Sequence, residues 1–122
     1  VVRKILTTND AVTWREYVER LPKHLRDVHF LPEMMLPYEA TKAGRGMLVI
    51  DEDGDEFAMQ PLLRMSDGVY RHPYNFGGPI ATEDHVGPFS LAMQIQCTLN
   101  PFLAEHQTAL LQRPVGYVKD AV

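Results

Sequence analysis

The sequence predicts an α/β domain of the α+β kind, a mostly antiparallel sheet flanked by helices in the order β-α-α-β-β-β-α-β. Three observations carry this expectation. Aromatic residues recur at helical spacing after a short apolar strand near the N-terminus, two long apolar runs meet at an Asp-Gly turn, and an alternating segment resumes after residue 90. With 122 residues the chain makes one domain over 1–122, long enough to bury roughly two-thirds of the surface its unfolded form exposes.

Val2 to Leu6 reads as the first strand. Asp10 or Thr13 caps a helix in which Trp14, Tyr17, Val18 and Leu21 fall at i, i+3, i+4 and i+7, and Pro22 stops it. A polar connection through His24 and Arg26 leads to Pro32-Glu33-Met34-Met35, where proline suits a first helical turn, and Tyr38 extends the apolar stripe. Pro37 kinks or interrupts this second helix. From Gly46 the period changes. Met47-Leu48-Val49-Ile50 runs into Asp51-Glu52-Asp53-Gly54-Asp55, and Phe57 to Met65 returns as the partner strand of a hairpin. Leu91, Met93, Ile95, Cys97 and Leu99 alternate with polar or small residues, which predicts a strand with one apolar face. Pro101 then opens a helix carrying Phe102, Leu103, His106, Leu110 and Leu111, and a last strand runs from Val115 to Val122.

The net charge of −4 supplies no general basic field for nucleic acid, and the charges are scattered as on an ordinary solvated surface. No apolar run reaches the length of a membrane span, and there is no signal-peptide core. A single cysteine, Cys97, sits in the apolar alternation as a small buried hydrophobe, which places the chain in a reducing, cytoplasmic setting. The first residue is Val, so a longer precursor is expected.

The segment Arg71-His72-Pro73-Tyr74-Asn75-Phe76-Gly77-Gly78-Pro79 concentrates the functional signal. Its two prolines stiffen the chain, Gly77-Gly78 lets backbone N–H groups approach a partner, and Tyr74, Asn75 and Phe76 stand between them. The competing role for Tyr74 and Phe76 is to plug the end of a core. Arg64, at a strand end, can grip a carboxylate or phosphate with both arms of its guanidinium, its ordinary alternative being a surface charge. His24, His29, Asp27 and Glu33 match no metal-ligand spacing, and no metal site is expected. His72, His85 and His106 are too dispersed to serve Cys97 as a triad.

The element order resembles the first part of the GNAT acyltransferase fold. A GNAT enzyme is expected to hold acyl-CoA on a glycine-rich turn after its fourth strand, whereas Thr98-Leu99-Asn100-Pro101-Phe102-Leu103 has no glycine there. This half is therefore not expected to bind a cofactor. The runs Trp14 through Leu21-Pro22, Arg26 to Glu33, Gln60-Pro61-Leu62-Leu63-Arg64 and Pro73-Tyr74-Asn75-Phe76-Gly77-Gly78-Pro79 resemble the N-terminal half of the FemAB-like branch, which is built from two GNAT-like halves.

That resemblance implies transfer of an acyl or aminoacyl group to an amine, with acyl-CoA or aminoacyl-tRNA as donor on the second half. It implies Arg64, His72, Tyr74, Asn75, Phe76, Gly77 and Gly78 on the acceptor side, facing a small-molecule or peptide amine. Its partner is the C-terminal GNAT-like half of the same polypeptide, and the isolated half is expected to be inactive. No residue is assigned a catalytic step. The alternative is a non-catalytic binding or scaffolding module, dimerising through the sheet edge left after Val122. Single-strand nucleic-acid binding on Tyr74 and Phe76 is disfavoured by the acidic balance.

Overall fold

The computed structural model describes residues 1–73, 79–82 and 90–99. Strand β1 (Val2–Thr7) enters a 3₁₀ turn and helix α1 (Ala11–Arg20). Three further 3₁₀ turns lead to helix α2 (Leu36–Ala40), followed by the long strands β2 (Gly44–Asp53) and β3 (Glu56–Met65). Two short strands, β4 (Tyr70–Arg71) and β5 (Ile80–Ala81), precede helix α3 (Leu91–Leu99). All pairings are antiparallel, with β2 between β1 and β3, and with β4 and β5 both on the far edge of β3. The antiparallel α+β architecture is thus the one the sequence predicts.

Local chemistry accounts for the starts and stops. Asp10, one of the two expected caps, stands at the N-cap of α1 without a side-chain cap bond, and the capping hydrogen bonds lie in the 3₁₀ turn before it. Thr7 accepts from the Asn9 N–H while Asp10 accepts from the Thr7 N–H, a reciprocal capping box that turns β1 into the helix. Arg26 donates to the carbonyl oxygens of Glu19 and Leu21, covering acceptors that α1 leaves open where Pro22 ends it. Pro37 sits in the first turn of α2, directly after the Pro32–Met35 3₁₀ turn. A proline there lacks the N–H that a continuous helix needs, so the predicted interruption is a change of helix type.

The sheet buries both of its faces over β3. On one face Trp14, Tyr17 and Val18 of α1 pack with Leu48, Ile50, Phe57, Met59 and Leu63, and the Trp14 Nε1–H donates to the Phe30 carbonyl at 2.6 Å. On the other, Leu91, Ala92 and Ile95 of α3 cover Val49, Ala58, Leu62 and Ala81. The hairpin turn centres on Gly54-Asp55, with Gly54 at φ 63°, which glycine tolerates at the first central position.

Residues 91–99 form a helix, not the predicted strand. Leu91, Ala92 and Ile95 are buried at i, i+1 and i+4, while Gln94, Cys97 and Thr98 are exposed. The buried Ser90 supplies the start, its Oγ accepting from the Met93 N–H. Leu, Ala, Met and Gln are strong helix formers, and this propensity, with the cap, outweighs the apolar alternation. Cys97 is accordingly exposed, not the buried residue expected. The predicted elements after residue 99 lie outside the described residues.

At Gly46 the sheet backbone packs closely against Met35 of the Pro32–Met35 turn. A Cβ there would lie 2.3 Å from Met35 Cγ. Gly46→Ala is therefore expected to lower the free energy of unfolding by about 1–3 kcal/mol, as overpacking does in other cores, measured by urea unfolding.

Candidate functional site

At the end of the hairpin away from its turn lies an open cleft of about 820 Å³. The β1–α1 junction (Thr7, Thr8, Asn9), the end of α2 (Glu39, Lys42), the start of β2 (Gly44, Arg45, Gly46) and the end of β3 with its turn (Arg64, Met65, Ser66, Gly68) line it. Glu39 ties three of these parts together. Its Oε1 accepts from the Thr8 hydroxyl at 2.7 Å and its Oε2 from the Gly46 N–H at 3.0 Å, so both carboxylate oxygens are engaged.

Three cations from three places enter the same space. Arg45 and Arg64 are directly opposite one another in the β2–β3 ladder, and both are exposed. Like charges at opposed positions of an antiparallel pair repel. Among the described residues neither guanidinium has a carboxylate or hydrogen-bond partner. Elsewhere on the sheet the cations are matched: Arg3 grips Asp51 with two bonds of 2.7 and 2.8 Å, and Lys4 lies 3.1 Å from Glu52. The Arg3 guanidinium is held above its ordinary pKa by that hydrogen bond, and the Glu52 carboxyl below its own by the Tyr17 hydroxyl and by Lys4.

Lys42 is the third cation. The Lys42 N–H bonds to the Glu39 carbonyl and the Ala43 N–H to the Tyr38 carbonyl, which is the Schellman arrangement at the end of α2. The position requires a left-handed backbone, and Lys42 has φ 57°. Glycine is the usual occupant. A lysine held there carries conformational strain of the order of 1 kcal/mol.

Of the predicted site residues the structure describes two, Arg64 and His72. Arg64 lines the cleft. His72 lies just after β4, 2% exposed, away from the cleft lining. Tyr74, Asn75, Phe76, Gly77 and Gly78 lie outside the described residues, but the anchors of their segment do not. β4 ends at Arg71, opposite Leu63, and β5 begins at Ile80, opposite Met59. Pro61 sits in that interval. The N–H groups of Phe57 and Met65 point to this edge, bonding Thr82 and Val69, so by the alternation of the ladder Pro61 would also donate here. No β4 or β5 partner is paired with it, and its missing donor goes unneeded.

His29 and Asp27 bond one another at 2.6 Å, Glu33 is bound by Arg15, and the described residues bring no three metal-ligating side chains together. Sequence reasoning missed Arg45 and Lys42. Counting back from the hairpin turn places Arg45 opposite Arg64, so the signal was the register. It also missed Gln60, wholly buried on the α3 side of β3, whose amide has no hydrogen-bond partner.

No protein-family model, curated protein or solved structure matches this chain. Among the described residues no helix is long and apolar enough to cross a membrane.

Burial pushes the His72 imidazole down to about 4. The folded protein keeps this ring neutral while the unfolded chain takes up a proton near pH 6.5. The stability associated with His72 is full above about pH 6.5, falls as the pH drops toward about 4, and changes no further below that. Unfolding free energies measured between pH 7 and pH 4 are expected to lose roughly 3 kcal/mol from this source. His72→Asn should flatten the slope in that window.

Proposed function

We propose that this domain forms the acceptor-side half of an acyl or aminoacyl transferase, holding an amine for attack on a donor carried by a second GNAT-like half of the same polypeptide. The observation that supports it is the setting of Arg64. This residue belongs to the run Gln60 to Arg64 that resembles the FemAB-like branch, and its uncompensated guanidinium opens on the cleft opposite Arg45. On the same strand, three residues back, Pro61 lies between the stretches of edge covered by β4 and β5, the two strands that flank the aromatic-glycine segment in sequence. At the rise of a strand these two points are about 10 Å apart.

The chemistry asks modest things of such a half. The amine attacks the carbonyl carbon of an ester or thioester, the new C–N bond forms, the proton leaves the nitrogen, and the alkoxide or thiolate of the donor departs. Rate comes from holding the acceptor within reach and from donors to the developing oxyanion. The cleft contributes the first by charge. The aromatic-glycine segment, on this reading, contributes the orienting groups Tyr74 and Asn75 and the backbone N–H groups of Gly77 and Gly78. The donor, acyl-CoA or aminoacyl-tRNA, makes its contacts on the other half.

The whole encoded polypeptide, assayed with both donor classes and a panel of amine acceptors, tests this. Arg64→Ala is expected to raise KM for the acceptor by roughly tenfold to a hundredfold, with KM for the donor unchanged and kcat within about twofold. Absence of transfer with either donor would remove the transferase reading and leave a non-catalytic binding module. Unchanged acceptor KM would remove Arg64 from the site.

A further inference from the structure

We infer that the cleft recognises a phosphate group, and that Arg45, Arg64 and Lys42 together form its seat. This rests on the acceptor-side reading and narrows it: the acceptor carries a phosphate ester where a simple monocarboxylate would leave charge unmatched. Arg45 and Arg64 occupy opposed positions of the β2–β3 ladder, where side chains stand about 4.5–5.5 Å apart at Cβ. Two guanidiniums so placed repel each other, and nothing among the described residues neutralises either. The cleft's own carboxylate, Glu39, is already engaged by Thr8 and Gly46.

Composition does not explain the cluster, since the chain as a whole carries a net charge of −4. Lys42 strengthens the case from a different direction. It holds a left-handed backbone that glycine would adopt without strain, so a lysine lines the cleft at a cost to the fold. A monocarboxylate has one negative charge and two oxygens, enough for one guanidinium fork. A phosphate monoester carries close to two negative charges near neutral pH and three oxygens, which engage both forks and leave one for the ammonium. Unused polar groups line the same space. The side chains of Asn9 and Ser66 border the cleft and can complete the oxygen contacts.

Calorimetric titration of the 122-residue chain at fixed ionic strength and pH 7.5, with inorganic phosphate, pyrophosphate and acetate in turn, tests the inference. Phosphate and pyrophosphate are expected to bind at least about tenfold more tightly than acetate, and Arg45→Gln or Arg64→Gln to weaken them roughly tenfold to a hundredfold. Lys42→Gly should weaken phosphate binding while raising the thermal midpoint, and Arg64→Gln should raise it as well, because each removes strain or repulsion. Circular dichroism identifies any variant that fails to fold. Equal affinity for acetate and phosphate, or phosphate affinity unchanged in Arg45→Gln and Arg64→Gln, would overturn it. Pyrophosphate binding tighter than phosphate assigns the seat to a diphosphate ester, and the reverse to a monoester. The two readings fail separately. Phosphate binding by a whole polypeptide that transfers nothing sinks only the transferase reading, while transfer to a phosphate-free acceptor with an unaltered KM in Arg45→Gln sinks only this one.

Discussion

The ten-residue pairing of β2 with β3 is the constraint on which the rest of the domain depends. It makes β3 a strand buried on both faces from Phe57 to Leu63, and its apolar side chains there divide between the α1 core and the α3 core. The register decides which. Because side chains alternate with period two, Phe57, Met59 and Leu63 meet α1 while Ala58 and Leu62 meet α3, and a slip of one residue would exchange the two sets. With both faces packed, the only parts of β3 available for other work are its edge and its ends.

Both are used. The edge is occupied at Ala58-Met59 by β5 and at Leu63-Arg64 by β4, and neither strand pairs with the interval around Pro61. Proline is the one residue whose backbone has no donor to offer in that interval. At the end of the strand, the same register sets Arg64 opposite Arg45, and α2 brings Lys42 to the same space through the Schellman turn. A fold dominated by apolar burial thus positions a cluster that is unfavourable by itself, a pattern expected where stability is given up for a ligand.

Much of this was legible in the sequence, and the failures have physical causes. The α1 stripe, the hairpin and the strand–helix–helix–strand order follow from strong periodicity. The segment 91–99 did not, because over nine residues Leu, Met and Ile at alternate positions are compatible with a strand, and the helix is decided by Ser90 and by packing onto β3. The two-residue strands β4 and β5 are too short to leave a period. Arg64 was identifiable as a strand-end cation, but its partner hung on one detail. Had Asp53-Gly54 been the central pair of the turn, Arg64 would face Ala43; centring on Gly54-Asp55 moves the partner by two residues to Arg45. His72 was read as a substrate-binding residue, and its burial just after β4 carries no periodic signal in the sequence.

The central claim is that the uncompensated cations at the end of the β2–β3 ladder are a binding seat and not a tolerated defect of the surface. The most direct test is a crystal structure of the domain grown with a phosphorylated amine, read for where the phosphate lies. The phosphate is expected in the cleft, with guanidinium nitrogens of both Arg45 and Arg64 within about 3 Å of its oxygens. A phosphate seated elsewhere on the domain, with Arg45 and Arg64 turned away from each other into solvent, would contradict it.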